Sequence, residues 1–181
     1  MNRSLTLITL MPCTQDKTAL EKIEDDAKKI ANIIKEISKN KKFMILSSTE
    51  CNALVTSRVI GKVLNTGVYC HNTLITDEKN PRDFKVALEL FHKIQDEQKI
   101  DVLIIIAGYE YAANYNNRVA ESIHLSIRWH HVLHYNPKCP CWGRIVHFPK
   151  NNPQTIVESA IITTEGIIVG NDTNIINVLK G

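Results

Sequence analysis

The sequence predicts a three-layer α/β/α sandwich with a mostly parallel central sheet, built as one domain over residues 1–181. Three observations predict it. Apolar strand-like runs alternate with long amphipathic helical patterns from the N-terminus onward. The run Asp101-Val-Leu-Ile-Ile-Ile-Ala-Gly108 is unbroken and β-branched, which demands burial on both faces, as in a central parallel strand. The length of 181 residues is that of one ordinary domain, and it can bury a core without help from metal or disulfide.

The elements follow in order. Leu5 to Met11 is apolar and threonine-rich, and Pro12 stops it, so it reads as a buried first strand. Thr18 then caps a long helix, with Glu21 as its capping-box partner. Leu20, Ile23, Ala27, Ile30, Ile33/Ile34 and Ile37 recur at helical spacing, with Lys and Glu on the opposite face. Phe43 to Leu46 is a second strand. A helix from about Cys51 to Leu64 follows, ended by Asn65-Thr66-Gly67 in a left-handed turn. Val68 to Cys70 is a third strand. Pro81 suits the first turn of a helix reaching about Gln98, with Phe84, Ala87/Leu88, Phe91 and Ile94 as its apolar stripe.

After the central strand, Gly108 marks a tight exit, and a helix is expected from roughly Tyr111 to Ile127. Residues 135–143 are loop by composition. Arg144 to Phe148 reads as a strand. Ile156 to Thr163 and Gly166 to Val169 read as late edge strands or a hairpin around Thr164-Glu165. Asn174 to Leu179 reads as a short final helix.

Composition narrows the function classes. Hydrophobic residues make up 44% and charged residues 23%, an ordinary globular balance, and the net charge is only +3. The lysines are dispersed or lie on one helix face, so neither nucleic acid nor a membrane is expected as partner. The opening apolar run is too short to span a bilayer and lacks a small-residue cleavage site. Five cysteines are an odd number, so a reducing, cytoplasmic setting is the simpler expectation.

In an open parallel sheet, ligands bind beyond the carboxyl ends of the strands. Those ends are Met11-Pro12-Cys13-Thr14, Ser47-Ser48-Thr49, His71-Asn72 and Ala107-Gly108-Tyr109. Residues 43–60 are the most informative stretch: Phe-Met-Ile-Leu-Ser-Ser-Thr-Glu-Cys-Asn-Ala-Leu-Val-Thr-Ser-Arg-Val-Ile. This stretch resembles the second motif of the histidine phosphatase (phosphoglycerate mutase-like) superfamily. There a strand ends in Ser-Ser, and a phosphate-binding arginine follows, then Ala and Thr-Ala. Here Asn52 takes the arginine's place. The family's first strand ends in Arg-His-Gly, whose histidine is phosphorylated, and its counterpart here is Met11-Pro12-Cys13. A later family strand ends in a second histidine, and its counterpart is Ala107-Gly108-Tyr109. The strand Arg144 to Phe148 resembles the strand before the family's C-terminal segment. The likeness covers most of residues 4–150. It also implies a general acid after the third strand, where Asp77 or Glu78 stands.

The resemblance implies a fold whose chemistry is missing. Phosphoryl transfer through histidine needs an imidazole nucleophile and cationic groups around the transferring oxygens. Proline and glycine supply neither. Asn52 donates hydrogen bonds without charge, so a dianion loses its bidentate partner. Each charge-assisted bond lost costs about 1.5–3 kcal/mol. Arg58, Arg118, Arg128 and Arg144 are the arginines that would have to compensate.

Other residues offer different chemistry. Cys13 stands near the family's nucleophile position, but no cationic partner activates it in the sequence, and small buried cysteines are common. His131, His134, Cys139 and Cys141 carry metal-ligating atoms, yet their spacing matches no standard zinc module, and an ordinary loop explains them as well. A Cys139/Cys141 redox pair lacks the usual Cys-x-x-Cys spacing. Tyr109, Tyr111, Tyr115, Trp129, Tyr135 and Trp142 gather after the central strand, where packing is the plain reading for Trp129 and Tyr109 is the better pocket residue.

The expectation is therefore a degenerate histidine phosphatase-like protein, a pseudophosphatase, that binds a small ligand or a protein partner. Its pocket residues would be Cys13, Thr14, Ser48, Asn52, Gly108 and Tyr109, with no catalytic residue, metal or cofactor. Two alternatives stay open. One is a hydrolase using Cys13 or a metal held by His131, His134, Cys139 and Cys141. The other is a structural or oligomerisation module, and a homo-oligomer fits either picture.

Overall fold

The fold was obtained as a computed structural model. It describes residues 4–13, 20–74, 82–97, 99–128, 141–150 and 156–169. Eight strands and four helices fill these segments: β1 (Leu5–Leu10), α1 (Leu20–Ile37), β2 (Phe43–Ser47), α2 (Cys51–Leu64), β3 (Val68–Cys70), α3 (Arg82–Glu97), β4 (Val102–Ile106), α4 (Tyr109–Ser122), β5 (Ser126–Arg128), β6 (Trp142–Phe148), β7 (Ile156–Thr163) and β8 (Gly166–Val169). A single 3-10 turn at Asn72–Leu74 follows β3.

One sheet runs in the order β3-β2-β4-β1-β6-β7-β5, with β8 on β7. Its first four strands are parallel, as expected from the alternating pattern. The remainder is mixed: β6 is antiparallel to both β1 and β7, and β8 is antiparallel to β7, while β5 is parallel to β7. Every residue of β4 is buried, which is why its sequence carries no polar alternation.

Two cores lie on opposite faces of the sheet. Ile8, Leu10, Ile45, Val102, Ile104 and Ile106 face α1 and α2. Leu5, Leu7, Leu46, Leu103, Ile105 and Ala107 face α3 and α4. This alternation is the two-residue period of a strand made visible. On α1, Ile23, Ala27, Ile30, Ile34 and Ile37 are the buried stripe. The buried face of α2 includes the small residues Ala53, Thr56, Ser57 and Gly61, the last lying against Val68 and Ile45 of the sheet. Tyr115 ties α4 to α3 by donating its hydroxyl hydrogen bond to the Ala87 carbonyl at 2.6 Å.

The left-handed turn expected at Asn65-Thr66-Gly67 is present, with Asn65 (φ 52) as the cap of α2; asparagine tolerates that region better than other non-glycine residues. Two boundaries differ from the sequence expectation. The helix after β4 ends at Ser122, because His124 turns left-handed (φ 59). The next residues, Ser126–Arg128, then form β5 against β7. Their helical periodicity gave way to a tertiary pairing with a partner about thirty residues on. Lastly, β6 begins at Trp142, two residues before the expected start. The expected cap at Thr18, the helix start at Pro81 and the helix at Asn174 to Leu179 lie outside the described residues. No helix among the described residues is long and apolar enough to cross a membrane.

Candidate functional site

The topology itself marks a crevice. β1 and β4 are neighbours, yet the helix after β1 packs on one face and the helix after β4 on the other. Adjacent strands whose following helices diverge leave an opening at their carboxyl ends, and ligands bind there in open α/β sheets.

Backbone hydrogen bonds knit the strand ends around this point. Ser48 N donates to Ile106 O at 2.9 Å, Ala107 N to Leu10 O at 3.1 Å, and Met11 N to Trp142 O at 2.8 Å. The chain then reaches α2, where Cys13 N donates to Thr56 Oγ1 at 3.1 Å. Asn52 lies one helical turn before Thr56, so both belong to the face of α2 turned toward the end of β1. The structure thus brings Cys13, Ser48, Asn52 and Gly108 to the strand ends. Gly108 is the N-cap of α4, and its carbonyl accepts from Ala112 N at 3.1 Å. Thr14 and the side chain of Tyr109 lie outside the described residues.

These residues do not all line an opening. Ser48 and Cys13 are fully buried, while Asn52 and Gly108 are half-buried. Met11, Ala112 and Trp142 pack together as a small apolar cluster where β1, α4 and β6 meet. Thr9 supports that junction by donating its hydroxyl to the Ala112 carbonyl at 3.1 Å.

Cys13 is joined by a disulfide to Cys141, with Cα atoms 4.3 Å apart across a sequence separation of 128. This corrects two expectations. While the bond is intact, Cys13 has no thiolate to act as a nucleophile, and Cys141 has none to offer a metal. The odd cysteine count also ceases to argue for a reducing compartment, since a buried bridge of this kind persists in oxidising ones. The pairing follows from register: Leu10 opposes Gly143 in the β1–β6 ladder, which carries the two flanking cysteines together. Cys51 and Cys70 are free and exposed.

Among the described residues, the charged group at the start of α2 is a carboxylate. Glu50 stands at the N-cap of α2 and accepts a hydrogen bond from Ser48 Oγ at 3.2 Å. A carboxylate there opposes the positive end of the helix dipole, which otherwise draws anions. Asn52 turns its Oδ1 to the backbone N–H of Ala53 at 2.9 Å. Of the four arginines that would have to compensate, two are exposed. Arg58 is exposed on α2, and Arg118 is exposed and paired with Glu121 at 3.2 Å. Arg144 lies in β6 opposite Thr9, on the α4 side of the sheet, and is half-buried. The side chain of Arg128 lies outside the described residues, as do Asp77 and Glu78.

Glu50, Thr56 and the Met11–Ala112–Trp142 cluster carry roles that the sequence reading did not assign. Glu50 had a usable signal, an acid immediately before the first helical residue. The apolar cluster had none, because it depends on the β1–β6 pairing. Among the described residues, no group of three or more His, Cys, Asp or Glu side chains is placed to hold a metal ion. Of the metal candidates, His131, His134 and Cys139 lie outside those residues.

No protein-family model matches the sequence, and no curated protein matches it. Solved structures do match the fold. A proposed alpha-ribazole-5'-P phosphatase from Escherichia coli aligns with a TM-score of 0.55 and 11% identity, over 91% of this chain and all (100%) of the other. The protein histidine phosphatase SixA, solved with tungstate, aligns at 0.52 and 11% identity over 92% and 94% of the two chains. Mycobacterial hydrolase 2 aligns at 0.52 and 9% identity over 98% and 97%. Identities this low speak to architecture and leave the chemistry to be argued from the residues. The chain therefore has a mixed α/β fold similar to that of the histidine phosphatases.

Proposed function

We propose that this protein is a degenerate histidine phosphatase-like protein, a pseudophosphatase that binds a small ligand or a protein partner at the strand-end crevice. The observation that carries the reading is the presence of both Asn52 and Glu50 at the start of α2. A transferring phosphoryl group needs cations or free N–H groups aimed at its oxygens. Here the helix start presents an amide and a carboxylate instead. The N–H groups of Met11, Cys13, Ser48 and Ala107 are already committed to Trp142, Thr56, Ile106 and Leu10.

Pro12 and Gly108 stand where the resemblance places the two histidines, and neither offers a nucleophile or a proton carrier. The recognition surface is then polar and, among the described residues, without a cation: Asn52 and Gly108, with Ser48 supporting it from beneath; the sequence expectation adds Thr14 and Tyr109. Such a surface favours uncharged polar groups, whose hydrogen bonds need no charge compensation.

A turnover assay tests this reading. Wild-type protein, Asn52→Ala and Asn52→Arg are each incubated with p-nitrophenyl phosphate and a panel of phosphorylated metabolites. The expected result is no turnover by wild type or Asn52→Ala. Wild-type turnover that disappears in Asn52→Ala would overturn the proposal, because Asn52 would then serve a working phosphatase.

A further inference from the structure

A second site lies away from the strand-end crevice, at the β3 edge of the sheet. β3 pairs only with β2, and its outer side borders a groove of about 350 Å³ between this edge and α3. That volume falls within the range of small-molecule pockets, about 300–1,000 Å³. Met44 and Leu46 from β2 and Leu90 and Ile94 from α3 make its apolar floor. Leu46 and Ile94 are buried, whereas Met44 and Leu90 keep part of their surface open.

The rim has a different character. Tyr69 opposes Leu46 in the β2–β3 register, so both project from the same face of the sheet. Its side chain is 59% exposed, one of three large hydrophobic residues left open among those described. Lys93 is exposed on α3 and makes no ion pair among the described residues. Cys70 borders the groove at the strand edge, its side chain alternating to the other face beside Ser47, and half-buried His71 completes the rim. Among the described residues, no carboxylate lines the groove.

The geometry points to a binding site for an apolar monocarboxylate, with its hydrocarbon or aromatic body on the Met44–Leu46–Leu90–Ile94 floor and its carboxylate at Lys93. An apolar body gains by covering a floor that is otherwise wet. Tyr69 supplies a flat wall that packs against such a body while its hydroxyl stays in water. With Lys93 as the cation on the rim and no acid among the described residues that line it, an acid head is preferred over a neutral one. The site is independent of the strand-end reading and shares no residue with it.

The experiment is a thermal-shift titration with 2-naphthoate or the neutral 2-naphthamide. Naphthoate should raise the melting temperature saturably. The acid should bind up to about fivefold more tightly than the amide, the size of an exposed ion pair. Lys93→Glu should remove or reverse that preference while the amide still raises the melting temperature, which shows that the groove remains folded. No shift at millimolar naphthoate would overturn the proposal. So would an acid and amide that bind wild type equally, or an acid preference that survives Lys93→Glu.

Discussion

The Cys13–Cys141 bridge should be a large single contributor to stability, because it closes a loop that spans most of the chain. It joins residues 128 apart. In the loop-closure model, forbidding the open states of so long a loop in the unfolded chain is worth about 5 kcal/mol. That is a substantial part of the 5–15 kcal/mol typical of a whole domain. The perturbation is the double variant Cys13→Ala/Cys141→Ala, which removes the bond without leaving buried thiols. Both side chains are fully buried, so two small voids add to the loss. Urea unfolding reads the change. With a slope of about 2 kcal/mol per molar urea, the midpoint should fall by at least about 2.5 M, and wild type treated with reductant should move toward the variant. A thiol titration of denatured protein should find two fewer reactive groups before reduction than after. An unchanged midpoint, or five reactive thiols before reduction, would refute the reasoning.

Three further predictions follow from packing and titration. Gly143 sits in the β1–β6 ladder where an added Cβ would run into the Thr9 carbonyl and lie 3.0 Å from Leu10 Cα. Gly143→Ala should therefore destabilise by at least about 1–3 kcal/mol in urea unfolding, and a neutral result would show that the two strands are not so closely apposed. Asn116 is fully buried on α4, and both its side-chain amide atoms are without a hydrogen-bond partner among the described residues. Asn116→Leu removes those buried polar atoms at similar volume, so its melting temperature should be equal or higher; a loss above about 2 kcal/mol would mean that the amide is satisfied. His147 is held below the usual histidine range by burial and then by Lys41, and it shares a hydrogen bond with Thr6 Oγ1 at 3.0 Å. The unfolded chain thus binds a proton more readily than the folded one. The stability from this residue is complete above the unfolded histidine value near 6.5 and is lost as pH falls through the lowered folded value. His147→Gln should flatten that acid-side decline, and an unchanged slope would assign it to other groups.

The parallel half of the fold was legible because its signals are local. The apolar run at 102–106 and the stripe on α1 say which side chains are buried whatever their partners turn out to be. The bounds of α2 were readable for the same reason: Ser47-Ser48 ends the strand, and Asn65 supplies a residue that tolerates a left-handed cap. Two signals competed at residues 123–128. Helical periodicity ran on through them, but His124 turned left-handed and β7 offered Ser126–Arg128 a strand partner. The antiparallel half depends on contacts across the chain, such as Leu10 with Gly143, which no window of sequence contains.

The crevice was legible in part. Strand ends marked Ser48, Asn52 and Gly108, because in a parallel sheet the carboxyl edge is fixed once strand direction is known. What closes that edge was not. Cys13 and Cys141 look like two isolated thiols until the β1–β6 pairing places them together. Met11, Ala112 and Trp142 come from three separate elements. Glu50 could have been read as a helix-start acid, but its hydrogen bond to Ser48 depends on the turn between β2 and α2.

The most direct test of the central claim is a thermal-shift titration of the wild-type protein with tungstate, the anion bound in the structurally similar SixA. A ligand that binds only the folded state would add about 2.7 kcal/mol at a hundredfold excess over its dissociation constant. With Asn52 and Glu50 at the start of α2, the account predicts no saturable rise in melting temperature at millimolar tungstate. A saturable rise that vanishes in Asn52→Asp, while Lys93→Glu retains it, would contradict the account by locating a working anion cradle at the strand-end crevice.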